Sequence, residues 1–162
     1  MRYTNHMEDF IKEMYTRINI LVPEQLQISI IAKSLRVNVL YWNEGSRALF
    51  LRGNPYIFLN NRLTKQQQWQ DFCHELAHVL MHCGHQNRLP PLFIEYQELK
   101  ANSFMYHACI PTFMLNELAI NDYFYSTVLR VSKLFQVEYE IALKRLTQYM
   151  QNKRFIQYSH GK

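Results

Sequence analysis

Residues 71–83, DFCHELAHVLMHC, constrain this chain more than any other stretch, because two histidines, His74 and His78, bracket a glutamate, Glu75, in the pattern HExxH. At about 100° of rotation per residue the histidines stand roughly 40° apart and one turn along a helix, so both imidazoles can reach one ion. Asp71, Glu75 and His82 fall on the same side, while Trp69, Phe72, Cys73, Leu76, Val79, Leu80 and Cys83 fill the opposite arc. A core histidine belongs among the apolar residues; these two lie on the polar stripe. With seven histidines in 162 residues, chance alone would produce HExxH roughly 0.02 times per chain. The predicted helix, from Thr64 or Lys65 to near Gly84, has an apolar back and a ligand-bearing front.

A catalytic zinc takes three protein ligands and keeps one position for water, so HExxH is one ligand short. Downstream candidates are His82, His85, Glu95, Glu98 and His107. Two prolines in HQNRLPPLF are expected to exclude helix until about Ile94, after which residues 94–109, IEYQELKANSFMYHAC, read as a second helix. Around Glu98, the residues Ile94, Ala101, Asn102, Met105 and Cys109 lie within about 60°, whereas Tyr96, Lys100, Ser103 and His107 lie opposite. Glu98 therefore shares the face expected to dock on the HExxH helix, where a carboxylate needs a partner such as zinc. His107 points away, and His82 is a further turn along its own helix. Glu98 is the preferred third ligand and His85 its rival. Asn102, one turn after Glu98, is placed to orient a ligand histidine by accepting its ring N–H.

Elsewhere the chain supplies a scaffold. Met7, Phe10, Ile11, Met14 and Ile18 predict an amphipathic helix over residues 4–18, and a second is expected from Pro23 to about Leu35. From Asn38 the pattern shifts to short β-prone runs separated by NEGS and GNP, giving three strands near 37–42, 47–52 and 56–60, read as a small antiparallel meander. If the last strand, Tyr56 to Asn60, lies at a sheet edge beside the metal, it offers unpaired backbone groups to an extended peptide. Pro111 opens a helix to about Ala119, and residues 122–136 and 138–151 read as two more. The segment VSKLFQVEYEIALKRL resembles a helix-turn-helix with Leu134, Val137, Ile141 and Leu146 as its core, though Gln136 stands where glycine is usual. The overall class is α+β, mainly helical.

A length of 162 residues with 48% apolar side chains suits one domain with a small appendage. Three cysteines form no paired framework, the first 25 residues lack a signal-peptide pattern, and no long apolar run exists, so a reducing, cytoplasmic location without membrane contact is expected. Residues 1–124 carry 11 basic and 11 acidic side chains, and residues 125–162 carry 7 and 2, which assigns the charge excess to the C-terminal helices. Helix pairs of this kind more often pack than read DNA, so the basic excess reads first as a solvated helix face and frayed tail, with substrate docking favoured over DNA contact as its functional use.

The combination of QDFCHELAHVLMH with ELKANSFMYHACIP resembles the ImmA/IrrE family of zinc metallopeptidases over about residues 50 to 115. Glu98, Ala101, Asn102, Phe104 and Pro111 match the family's second helix, while Ala77 replaces its usual glycine and Met105 its usual alanine. The expected organisation is a zincin-like domain over 1–120, a helical extension packed on it over 121–152, and a mobile tail over 153–162. The resemblance implies Zn2+ held by His74, His78 and Glu98, with Glu75 as general base, and as substrate a helix-turn-helix repressor encoded beside it on a phage or mobile element. Tyr106 and His85 are the candidates for a donor to the developing oxyanion. The competing expectation is a non-catalytic regulator that binds a repressor or DNA through the C-terminal helices. Glu75, which ligates nothing in such a scheme, argues for the enzyme.

Overall fold

A computed structural model describes residues 6–81 and 90–159, with only the backbone described for 154–159. The helical periodicity at the N-terminus becomes α1 (His6–Arg17), with Ile11, Met14 and Tyr15 buried. The helix expected from Pro23 divides into a 3-10 turn, Pro23–Gln25, and α2 (Ile28–Ser34), because Leu26 and Gln27 leave helical geometry and Leu26 enters the core. Next come β1 (Asn38–Trp42), β2 (Arg47–Leu51), β3 (Asn54–Asn60) and the HExxH helix α3 (Lys65–Met81). They are followed by α4 (Pro91–Cys109), α5 (Thr112–Glu117), α6 (Tyr125–Leu134) and α7 (Tyr139–Ser159). Helix α4 starts three residues before the sequence reading: Pro91 sits in the first turn, where its missing N–H has no helical partner to lose, and Pro90 accepts from Phe93 and Ile94. Likewise α7 runs past Gln151 to Ser159.

The sheet is mixed, and the expected antiparallel meander is corrected. Strand order is β1-β3-β2, with β1 parallel and β2 antiparallel to β3. Arg52 and Gly53 both adopt positive φ, 51° and 80°, the geometry of a tight hairpin turn that pins β2 to β3. β1 then takes the free edge of β3, which leaves in the centre the strand whose Ile57 and Leu59 are fully buried. Tyr56–Asn60 is therefore not an edge, and the free edges belong to β1 and β2.

Three helices end alike, without glycine. After α1, α2 and α6 the residues Asn19, Arg36 and Gln136 take left-handed φ values of 58°, 55° and 55°. The following N–H groups, of Ile20, Val37 and Val137, reach back to the carbonyls of Tyr15, Ala32 and Ser132 at 2.9, 2.8 and 3.0 Å. Ile20, Val37 and Val137 are themselves buried, so apolar burial offsets the left-handed strain in each of these Schellman turns.

Helix α3 lays its buried back, Trp69, Phe72, Cys73, Leu76, Ala77 and Val79, against the inner face of the sheet and against α4. Helix α1 crosses the C-terminal half of α4, with Tyr15 donating to the Ala108 carbonyl at 2.9 Å and Phe10 edge-on to Phe104. A glutamine run at the start of α3 then holds the α6–α7 turn. Gln67 and Gln70 donate to Glu138 at 2.9 and 2.8 Å, and Gln66 donates to the Val137 carbonyl at 3.0 Å. Helix α7 is tied further by Arg145, fully buried, which donates to the Ile110 carbonyl and the Thr112 hydroxyl and stands 3.8 Å from Glu8. Val137, Ala142 and Leu146 thus belong to the same core as the α3–α4 pair, while Leu134 and Ile141, also expected in that core, are only half-buried.

Candidate metal centre

Because α3 and α4 pack side by side, the polar stripe of α3 faces Glu98 across their groove. One ligand atom each from His74, His78 and Glu98 come together within 4.8 Å. His74 Nε2 lies 3.1 Å from Glu98 Oε2, His78 Nε2 lies 3.2 Å from Glu98 Oε1, and the two Nε2 atoms are 3.2 Å apart. Metal–ligand bonds of about 2.0–2.1 Å in a tetrahedron set ligand atoms roughly 3.3–3.4 Å apart, close to the spacing of the two imidazole nitrogens and of each nitrogen from the Glu98 oxygen nearest it.

The protons argue the same way. His74 Nδ1 is 3.1 Å from Asn102 Oδ1, an oxygen that can only accept, so Nδ1 carries a ring hydrogen and Nε2 is the nitrogen left to face the Glu98 carboxylate. Lone pairs facing at 3.1 Å repel unless a cation or a proton lies among them. The donor set, two imidazoles and one carboxylate, fits a divalent zinc. The side chains of His74 and His78 are 21% and 12% exposed but that of Glu98 is 41%, so the cluster opens to solvent from the α4 side.

Glu75 stands beside this triangle without joining it. Burial pushes its carboxyl up to about 7, opposed by neighbouring His74 and by the Ala48 backbone N–H that it accepts, and assisted by Asp71 and Glu98. Ala48 belongs to β2, the edge strand. That backbone contact was invisible in the sequence, since no side chain marks it, and alternation along a strand is the same at an edge and at a centre.

Of the other candidates, Glu95 is exposed and is not part of the cluster among the described residues. His107 is buried elsewhere, its Nδ1 donating to the Ser103 carbonyl at 2.8 Å and its Nε2 3.8 Å from Glu8. Tyr106 lies under the ammonium of Lys144, at 4.6 Å, two turns along α4 from Glu98. His82 and His85 fall outside the described residues.

Residues 23–147, which contain the sheet, the two helices that carry His74, His78 and Glu98, and the first part of α7, match the family profile described as the IrrE N-terminal-like domain, peptidase M78. The chain belongs to this family. Two relatives from Bacillus subtilis (strain 168) are similar over nearly its whole length. The phage-like element PBSX protein XkdA is 37% identical over 156 residues, 96% of this chain and 79% of that protein. The uncharacterized protein YqaB is 37% identical over 150 residues, 92% of this chain and 87% of that protein. As an M78 member the chain carries a metallopeptidase-type domain. Ala77 and Met105, where it departs from the family pattern, are both buried packing residues, and neither belongs to the ligand cluster.

Proposed function

We propose that this protein is a zinc-dependent endopeptidase in which His74, His78 and Glu98 hold the metal and Glu75 is the general base, and that it cleaves a helix-turn-helix repressor of a phage or mobile element. The observation that carries the reading is the three-atom triangle with a partly buried carboxyl beside it that ligates nothing. The mobile-element setting is supported by the name of one relative, a phage-like element protein. A repressor substrate would place the reaction in the cytoplasm, and among the described residues no helix is long and apolar enough to cross a membrane. Residues 1–120 would form the catalytic unit and 121–152 an extension packed on it.

Zinc, when bound, supplies a polarised carbonyl and a water acidic enough to deprotonate near neutral pH. Glu75, held by the Ala48 N–H, takes the water proton and passes it to the leaving amine. Asn102 keeps His74 in one tautomer. The free edge of β2 offers backbone groups to an extended substrate segment, so hydrogen bonds to the main chain can hold a peptide without demanding a particular sequence.

The test uses Glu75→Gln, which keeps size and hydrogen bonding but removes basicity. Co-expressed with the repressor encoded beside it, wild type should generate repressor fragments, while the variant should retain zinc and lose turnover by roughly 10²- to 10⁴-fold. Equal fragmentation with both forms would assign the cleavage to another protease. Inactivation of an intact repressor by both would favour a non-catalytic binding protein.

A further inference from the structure

The sheet has a second face. Strand alternation and the β1-β3-β2 register put Val39, Ala48, Ile57 and Leu59 toward the core, and put Leu40, Trp42, Arg47, Leu49, Tyr56 and Phe58 on the opposite, outer side. That outer side is open to solvent among the described residues, with Leu40 46% and Leu49 37% exposed. Three rings form a row across it. Trp42 and Phe58 have centroids 4.9 Å apart, Phe58 and Tyr56 6.4 Å, and the Arg47 guanidinium lies 4.3 Å above the Trp42 ring.

Charge is segregated onto the same unit. Residues 25–70 contain Lys33, Arg36, Arg47, Arg52, Arg62 and Lys65 against a single acid, Glu44. The even balance of residues 1–124 hides this, because the flanking segments on either side are acidic. The register places Arg36 and Arg52 at one end of the sheet, next to the starts of β1 and β3, and Arg62 at the other end, beyond Asn60. Arg47, besides covering Trp42, lies 3.7 Å from Glu44 in an exposed pair. No outward position of the three strands holds a carboxylate.

We propose that this outer face binds single-stranded nucleic acid, with the ring row stacking about three unpaired bases and the arginines at its ends and rim taking the phosphates. An apolar protein partner would account for the leucines but not for Arg36, Arg47, Arg52 and Arg62 at the ends and rim of a face whose strands carry no carboxylate; Lys33 on α2 and Lys65 at the start of α3 lie off that face. A duplex hides the base faces that the rings would stack on. The platform lies across the sheet from α3 and the metal ligands, so it does not depend on the peptidase reading.

The test is fluorescence anisotropy of full-length protein with a fluorescein-labelled oligothymidylate of about twenty nucleotides, together with intrinsic tryptophan fluorescence. Trp69 is 4% exposed, so base stacking should quench Trp42 selectively, and the quench should disappear in Trp42→Phe. If four arginines meet phosphates, affinity should fall roughly fifty-fold between about 50 and 200 mM salt, and Arg47→Gln with Arg52→Gln should flatten that dependence. Tyr56→Ala should weaken binding by about 5- to 150-fold, with Phe58→Leu as a milder second variant should Tyr56→Ala fold poorly. Circular dichroism and thermal melts confirm that each variant is folded.

Failure to bind the oligonucleotide at low salt overturns the proposal. So does unchanged affinity in the arginine and aromatic variants, which would move the site to the basic C-terminal helices, or equal affinity for duplex without quenching. A concentration-dependent dimer that is abolished by Leu49→Lys and does not take up the oligonucleotide would give the face to a second copy of this chain, and overturns it too.

Discussion

Replacing Asn102 by alanine isolates the support of the proposed metal site from the proposed ligands themselves. The Asn102 side chain is exposed, and its Oδ1 stands 3.1 Å from His74 Nδ1. Removing it frees the imidazole to rotate and to adopt the tautomer that puts a proton on the coordinating nitrogen. Losing such a supporting hydrogen bond costs about 10- to 100-fold in metal affinity. Each tenfold step is about 1.4 kcal/mol, and because zinc stabilises the fold by mass action, that amount leaves the zinc-dependent stabilisation at fixed free zinc. For a chain of this size 1 kcal/mol moves Tm by about 2–4 °C, so the rise in Tm on adding zinc should shrink by roughly 3–6 °C per tenfold. The metal-free protein should melt no lower than wild type, since alanine is a better helix former than asparagine by a few tenths of a kcal/mol, roughly. Chelator competition for Kd and paired melts with and without zinc measure both quantities. Asn102→Asp keeps an acceptor at the same place and should hold wild-type affinity. Unchanged zinc affinity in Asn102→Ala, or an equal loss in metal-free stability, would refute the orienting role.

Three further outcomes follow from other contacts. Glu98→Ala should abolish zinc retention in metal analysis, because it removes one corner of the ligand triangle, whereas His85→Ala should keep zinc and at least partial activity; the reverse result would exchange the third ligand. Arg145→Met leaves Glu8 largely buried without its cation, which should cost about 3–5 kcal/mol in denaturant unfolding, and adding Glu8→Gln should restore part of that loss. His107 is held below the usual histidine value by burial and then by Arg145, against the Ser103 carbonyl and Glu8, with Tyr149 also facing Arg145. Its folded pKa is the lower one, so its neutral form contributes full stability above about 6.5, and that stability is lost as pH falls from there through the folded value. Melts of metal-free protein from about pH 7.5 down to 5 should show this loss, and His107→Gln should flatten it; an identical slope in the variant would assign the acid sensitivity to other groups.

Much of the candidate metal centre, the cluster of His74, His78 and Glu98, was legible in the sequence because its determinants are local. The i, i+4 spacing of His74 and His78 puts them on one face of any helix they form, and the apolar positions flanking them say which face turns inward. The same periodicity put Glu98 on the docking side of α4 and Asn102 one turn beyond it, and the structure joins Asn102 to His74. Strand positions were legible too, from β-branched and aromatic runs between turn residues. Strand order was not. A strand alternates identically whether it lies at an edge or in the centre, so nothing in YIFLN distinguishes a central β3 from a substrate-facing edge. Only the hairpin at Arg52-Gly53 and the full burial of Ile57 and Leu59 decide it. Helix ends escaped for a related reason: Asn19, Arg36 and Gln136 adopt the left-handed conformation usually marked by glycine, and the compensating burial of Ile20, Val37 and Val137 exists only once the core has formed. Arg145 would read as one more charge on a solvated face, yet the packing of α1 and α7 against α4, with Glu8 3.8 Å away, closes it off from water. The raised Glu75 carboxyl likewise needs β2 beside α3 and the burial that packing brings. Side-chain periodicity is set by the bonds of neighbouring residues and is written in the sequence. Edges, burial and proton affinity depend on which distant segments meet, and only the packed chain determines those.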